Sequence, residues 1–156
     1  MVAVTPWDPE QARDIIDRLK TVPGATLPIL HALQERFGYV DRAAVAPIAK
    51  ALNLSQAEIH GVIGFYHDFR AAPPGRHVIK LCRAEACQSM GCRSLETHAK
   101  ELLGIGFGET TPDRRFTLQP VYCLGNCALS PAVMIGEELY GRVDAARFDA
   151  LVGAAP

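Results

Sequence analysis

The chain has 156 residues, of which 49% are hydrophobic and 21% are charged, and its formal net charge is −1. These values describe a globular protein with a real core and provide no basic surface for nucleic acid. No stretch reaches the roughly 18 apolar residues of a membrane span, and the first residues lack the basic start and apolar centre of a signal peptide. We therefore expect a cytoplasmic protein without a membrane span.

The first part of the chain, residues 9–70, has a helical pattern throughout. A first helix is predicted after Asp8, because Pro9 follows it and an apolar stripe begins within two turns. Ser55 and Glu58 match a capping box at the start of another helix. The pattern predicts three further helices, over 27–37, 42–52 and 55–64. Helices this short need to pack on one another or on a partner.

A Pro- and Gly-rich break at 71–76 predicts a domain boundary. We expect an N-terminal helical domain over 1–72 and a second domain over 73–156. Within the second domain the pattern predicts strands over 77–81, 116–121, 132–135 and 138–140, and helices over 91–103 and 145–152. The order strand–helix–strand–strand–strand–helix predicts an α/β domain of thioredoxin-like type.

Four of the five cysteines form two close pairs, the first of Cys82 and Cys87 and the second of Cys123 and Cys127, with 35 residues between the pairs. Disulfides are rare in a reducing cytoplasm, and an odd count leaves one thiol over, so metal or redox chemistry is favoured. A 2Fe–2S cluster needs four thiolates, two per iron, and backbone N–H groups near its sulfides. The spacing predicts one such cluster with Cys82, Cys87, Cys123 and Cys127 as its metal ligands. No nucleophile–base set is recognisable, so we predict no catalytic residue in this chain.

The predicted strands place both pairs in loops just past the carboxyl ends of two neighbouring strands, where α/β sheets tend to bind ligands. Gly125 lets the second loop take a positive φ angle and bring amides near the cluster. Asn126 is expected to tolerate the same left-handed conformation.

Other interpretations of the cysteines remain open at this point. A structural zinc site would also use four thiolates, although zinc ligands more often come in knuckles on small loop-rich modules. A thioredoxin-type dithiol would need a C-x-x-C motif, which is absent. Cys92 could substitute as a ligand, but a buried or half-buried free thiol is the preferred interpretation. The five histidines are dispersed and form no metal-binding motif.

Segments in the helical part and around the two cysteine pairs resemble those of a known protein family. Pro28–Tyr39 and Ile59–Tyr66 are similar to two helical signatures of one family, and Cys82–Cys87 and Cys123–Pro131 look like its two ligand segments. Over roughly residues 10–152 the chain resembles the thioredoxin-like 2Fe–2S subunit of respiratory complex I (NADH dehydrogenase) and of related NAD-dependent hydrogenases and formate dehydrogenases. Within that family, Cys87–Cys92 is most similar to the gamma subunit of NAD-dependent molybdenum formate dehydrogenase.

The resemblance implies an electron-transfer subunit whose single 2Fe–2S cluster exchanges electrons with the FMN of a partner subunit. FMN, NAD and the molybdenum cofactor are then expected on partners: one flavin- and NAD-binding subunit and one subunit with molybdenum and Fe–S centres. The alternatives are the equivalent subunit of respiratory complex I or of an NAD-reducing hydrogenase, a free-standing ferredoxin, and a zinc-stabilised interaction module. The resemblance also implies that the helical domain over 1–72 is a partner-docking domain, with Phe65 and Tyr66 as a docking element. The isolated chain is expected to form a homodimer if its docking face lacks a partner.

Overall fold

The computed structural model describes residues 5–155, which form two compact units, one extending to Pro73 and the other beginning at Pro74. The expectation about a signal peptide falls partly on residues 1–4, which lie outside the described residues. No helix in the described range has the length and continuous apolar character that crossing a bilayer requires.

The first unit is helical. Its helices are α1 (Pro9–Leu19), α2 (Thr26–Phe37), α3 (Val45–Leu52) and α4 (Gln56–Phe65), and a 3₁₀ turn (Arg42–Ala44) precedes α3. The helix predicted over 42–52 is thus two elements, because the Asp41 side chain accepts from the amide of Ala43 and holds the first turn tight. Fully buried Leu30, Leu33, Phe37, Ile48 and Ile59 lie at the centre of its core.

The predicted helix ends are confirmed. The Asp8 carboxylate accepts from the amide of Glu10 at 2.9 Å, which caps α1. Ser55 and Glu58 form the reciprocal capping box at the start of α4. Gly38 ends α2 with a φ of 83°, a left-handed conformation that glycine adopts without steric cost.

The second unit is an α/β domain built on a four-stranded sheet in the order β2-β1-β3-β4. Its elements are β1 (His77–Cys82), α5 (Glu85–Ser89), α6 (Cys92–Leu103), β2 (Phe116–Val121), β3 (Val133–Ile135), β4 (Glu138–Tyr140) and α7 (Ala145–Ala154), with a 3₁₀ turn at Cys127–Leu129. β1 runs parallel to β2 and antiparallel to β3, and β3 and β4 form the predicted hairpin. The core comprises Ile79, Leu81, Leu118, Val133, Val143 and Phe148.

Helix α5 was not predicted. Its five residues give too little length for a helical period to show in the sequence. The order in the structure is therefore strand–helix–helix–strand–strand–strand–helix, and α5, which carries Cys87, lies between β1 and α6.

Candidate metal centre

Both cysteine pairs lie at one edge of the sheet. Cys82 is the last residue of β1 and stands opposite Val121, the last residue of the parallel strand β2. The ladder continues past the strands, since the amide of Arg83 donates to the carbonyl of Val121 at 2.7 Å. Because parallel strands end at the same edge, the segments carrying the two pairs leave the sheet side by side.

The first cysteine pair is buried. Cys82 lies within the strand and Cys87 on α5, so the prediction that both pairs lie in loops is wrong for the first pair. The two thiols interact with each other, and the amides of Ala84 and Leu124 hydrogen-bond the Cys82 sulfur. Burial raises the pKa of Cys82; those two amides act against it, and Cys87 adds to the rise. Thiols of this kind lose their protons when a metal binds, because the metal charge compensates for the burial.

The second cysteine pair is exposed. Cys123 lies in the segment after β2, and Cys127 begins the short 3₁₀ turn. Gly125 has the predicted positive φ, 74°, and its amide donates to the Cys123 sulfur at 3.3 Å. Asn126 has a φ of −108°, so the left-handed conformation expected there is wrong. One glycine suffices to turn the chain, and the Asn126 carbonyl instead accepts from the amide of Leu129 at 3.0 Å.

Ser130 joins the two pairs, and no sequence motif had singled it out. Its hydroxyl lies 3.7 Å from the Cys87 sulfur and donates to the Cys127 carbonyl at 2.7 Å. The side chain is buried, and the serine falls inside the Cys123–Pro131 segment that carried the resemblance. That segment was the signal that could have identified it, although its contact with Cys87 spans 43 positions of sequence.

Gly141 allows the chain after β4 to lie against the second pair's segment. A Cβ atom at this position would stand 2.5 Å from the Cβ of Leu129 and 2.8 Å from the Nδ2 of Asn126. The neighbouring amide of Arg142 donates to the carbonyl of Leu129 at 2.6 Å. The backbone at 141–142 therefore holds the turn that carries Cys127 in place.

Cys92 is the first residue of α6, and its side chain is 1% exposed. It packs in one cluster with the first cysteine pair and Ala132. Burial raises the pKa of its thiol, and the nearby Cys87 and Glu96 add to the rise. The buried position agrees with the predicted buried thiol.

The donor set fits a 2Fe–2S cluster. Four thiols lie on two adjacent segments, and backbone amides already hydrogen-bond the sulfurs of Cys82 and Cys123. Across residues 5–155, no three His, Cys, Asp or Glu side chains gather around a point where one ion could bind. A cluster does not require that arrangement, since each of its irons takes two cysteine sulfurs.

Apolar side chains and a groove surround the second pair. Met90, Tyr122 and Leu129 are exposed there, Tyr122 to 72%. Beside Cys127, a groove of about 640 Å³ runs between the start of α6 and the start of α7. Exposed apolar groups next to a candidate redox centre form the kind of surface that another protein covers.

The model of one protein family, described as "Thioredoxin-like [2Fe-2S] ferredoxin", matches residues 12–155. This chain belongs to that family. The match includes all four candidate ligands. The thioredoxin-like ferredoxin fold and a single 2Fe–2S cluster follow from it.

Two relatives of this thioredoxin-like ferredoxin are components of redox complexes. One component of the NADH-quinone oxidoreductase of Pseudomonas aeruginosa is 39% identical over 119 residues, covering 76% of this chain and 72% of the relative. The HndA component of the NADP-reducing hydrogenase of Solidesulfovibrio fructosivorans is 34% identical over 134 residues, covering 84% of this chain and 78% of that relative. By its family this chain is a 2Fe–2S electron-transfer protein, and both of these relatives are named as components of oxidoreductases.

A solved structure agrees in fold. An NAD⁺-reducing [NiFe]-hydrogenase in the air-oxidized state superposes on this ferredoxin with a TM-score of 0.69 and 31% sequence identity. The match covers 88% of this chain but 23% of the hydrogenase chain. The thioredoxin-like ferredoxin thus corresponds to about a quarter of that longer polypeptide.

Proposed function

We propose that Cys82, Cys87, Cys123 and Cys127 hold the 2Fe–2S cluster, through which the chain exchanges single electrons with the FMN of an NAD(H)-oxidoreductase partner subunit. The observation that carries this proposal is the parallel register of β1 and β2, which sets Cys82 opposite Val121 and brings both cysteine segments to one edge. When bound, the cluster supplies a site that accepts and releases one electron.

The residues around the cysteines have separate tasks in this proposal. Amides of Ala84 and Leu124 donate to the Cys82 sulfur, and the amide of Gly125 donates to the Cys123 sulfur. These N–H groups stabilise negative charge on the thiolates and help to set the reduction potential. Burial of the first cysteine pair keeps water from one side of the proposed cluster site. Exposure of the second pair leaves the other side of that site open to a redox partner.

Two surfaces support docking to that partner. One is the exposed apolar group of Met90, Tyr122 and Leu129 around the second pair. The other lies on the helical unit, where Phe65 is 74% exposed and its ring centroid stands 5.1 Å from that of Tyr66. Aromatic side chains exposed to this degree are typical of protein interfaces. The proposed docking role of the helical domain rests on this second surface.

For the parent complex we propose an NAD-dependent molybdenum formate dehydrogenase, in which a flavin- and NAD-binding subunit and a molybdenum- and Fe–S-containing subunit complete the electron path. The support is the Cys87–Cys92 segment, with its additional buried cysteine. The names of the relatives favour the alternatives, the equivalent subunit of an NADH-quinone oxidoreductase or of a hydrogenase.

Absorbance and EPR spectroscopy of the chain purified without oxygen test the cluster. We expect broad visible bands that bleach under dithionite, two irons and two sulfides per chain, and a reduced-state EPR signal. Replacing any one of the four ligands by serine should abolish or distort these signals. A colourless protein holding one zinc per chain would instead establish the zinc-stabilised interaction module.

Isolation of the native complex tests the partners. We expect co-purification with a subunit that contains FMN, and reduction of NAD⁺ when formate is supplied. Reduction by hydrogen in place of formate would assign the hydrogenase, and NADH oxidation linked to a quinone would assign the respiratory complex. A chain that purifies alone, with its cluster and without a flavoprotein, would be a free-standing ferredoxin.

A further inference from the structure

Arg83 is the residue immediately after the candidate ligand Cys82. Its backbone is fixed on both sides: its amide donates to the carbonyl of Val121, and its carbonyl accepts from the side-chain amide of Gln88 at 2.9 Å. Arg83 therefore starts from a rigid position beside the first cysteine pair.

The side chain is fixed as well. The Nε of Arg83 lies 2.9 Å from a carboxylate oxygen of Glu96, whose own side chain is 14% exposed. The guanidinium carbon lies 5.2 Å from the ring centroid of Phe107, a distance typical of a cation–π contact. A carboxylate on α6 and an aromatic ring on the following loop thus hold one arginine between them.

Arg83, Lys100 and Glu96 together carry one net positive charge. Lys100 shares both partners of Arg83: its ammonium lies 2.7 Å from the other Glu96 oxygen and 4.5 Å from the Phe107 centroid. Two cations face one carboxylate, which leaves one positive charge uncompensated within this group. Arg83 and Cys92 also line one cavity of about 320 Å³, so the arginine lies on the side of the domain where Cys92 packs against the first cysteine pair.

We propose that Arg83, held by Glu96 and Phe107, is a positioning residue that raises the reduction potential of the cluster. This inference rests on the proposed function, since it requires the cluster at Cys82 and Cys87. If the partner's reduced flavin gave one electron to the bound cluster, the site would become one unit more negative. A fixed positive charge nearby stabilises the reduced state more than the oxidised state.

Redox titration of purified Arg83→Gln and Arg83→Lys, followed by EPR, tests the inference. For Arg83→Gln we expect the equilibrium constant for one-electron reduction to fall roughly tenfold, a shift of about 59 mV to more negative potential. Arg83→Lys keeps the charge and should restore most of the difference. Phe107→Leu, which loosens the guanidinium without removing charge, should shift the potential less and in the same direction. The control is Arg18→Gln on α1, the same charge change on the other compact unit.

The outcomes separate this inference from the proposed function. If Arg83→Gln retains the cluster spectrum with an unchanged midpoint potential, or shifts no more than Arg18→Gln, Arg83 does not tune the cluster and the inference fails while the function stands. If the unmodified chain binds no cluster at all, the proposed function itself fails. Loss of the cluster in Arg83→Gln but not in Arg83→Lys would make the arginine a structural support and would also overturn the inference.

Discussion

The hydroxyl of Ser130 lies 3.7 Å from the sulfur of Cys87 and donates to the carbonyl of Cys127. One side chain therefore links the two cysteine pairs across the edge of the sheet. In the thiol form, Cys87 can donate to Ser130. Once Cys87 is a thiolate ligand it has no proton to donate, so the serine hydroxyl would have to turn its single proton from the Cys127 carbonyl to the Cys87 sulfur.

Ser130→Ala should therefore make the reduction potential more negative while the cluster remains bound. A hydrogen bond to a ligand sulfur stabilises the reduced, more negative state, and the substitution removes it. Redox titration followed by absorbance measures the shift. Ser89→Ala is the matched control, because that hydroxyl also donates to a backbone carbonyl, of Ala86, but on the exposed side of α5. Equal midpoints for both variants would show that Ser130 has no effect on the cluster.

Cys92→Ala should retain the cluster, whereas Cys87→Ser should lose or badly distort it. Cys92 is buried against the first pair but is not one of the four proposed ligands. Removing its sulfur leaves a small cavity and should lower the free energy of unfolding by about 1–2 kcal/mol. Iron content and visible absorbance per chain provide the measurement. A reversal, with cluster loss in Cys92→Ala and retention in Cys87→Ser, would make Cys92 the fourth ligand.

Gly141→Ala should destabilise the second pair's turn. The added Cβ would overlap Leu129 and Asn126, and relieving such overlap typically costs about 1–3 kcal/mol. We expect a lower thermal midpoint and faster release of iron to a chelator. Gly153→Ala is the matched control, because its Cβ would meet nothing within 4 Å and its helical position favours alanine. A Gly141→Ala protein as stable as Gly153→Ala would mean that the close approach at 141 is not required.

The carboxyl of Glu58 should titrate with a pKa below its ordinary value of 4.5 in the folded chain. The backbone amide of Ser55 is the main cause of the lowered pKa, and the Ser55 hydroxyl adds to it. Because the folded pKa is the lower one, Glu58 stabilises the folded chain above the unfolded pKa. That contribution is lost as the pH falls through the folded pKa. NMR titration measures it, and in Ser55→Ala the pKa should rise part of the way, since the backbone amide still donates. A pKa unaltered by Ser55→Ala would contradict the role of the hydroxyl.

Local sequence patterns were sufficient to predict much of this molecule. Asp8, Gly38 and the Ser55–Glu58 capping box mark helix ends through contacts within a few residues, so the sequence shows them directly. The four strands and the placement of the cysteine segments at neighbouring strand ends follow from alternation and spacing. Flanking residues such as those of Cys123–Pro131 then predicted the family.

The remaining features depend on contacts between distant parts of the chain. Ser130 contacts Cys87, which lies 43 positions earlier in the sequence, and Arg83 is held by Glu96 on α6 and Phe107 in the loop after it. No periodicity signals such contacts, because they arise after the sheet and helices have packed. Asn126 shows a related limit: a residue type that tolerates the left-handed conformation does not adopt it when the preceding glycine already turns the chain.

The difference in burial between the two cysteine pairs also bears on how long a cluster survives in air. Molecular oxygen and iron chelators reach Cys123 and Cys127 directly, while Cys82 and Cys87 lie beneath the protein surface. A partner that covers Tyr122 and Leu129 would therefore shield the cluster from oxidation as well as supply electrons. The visible absorbance of the cluster should therefore decay faster in air for the isolated chain than for the same chain within its complex. Assembly would then protect the cluster as well as connect it to its electron donor.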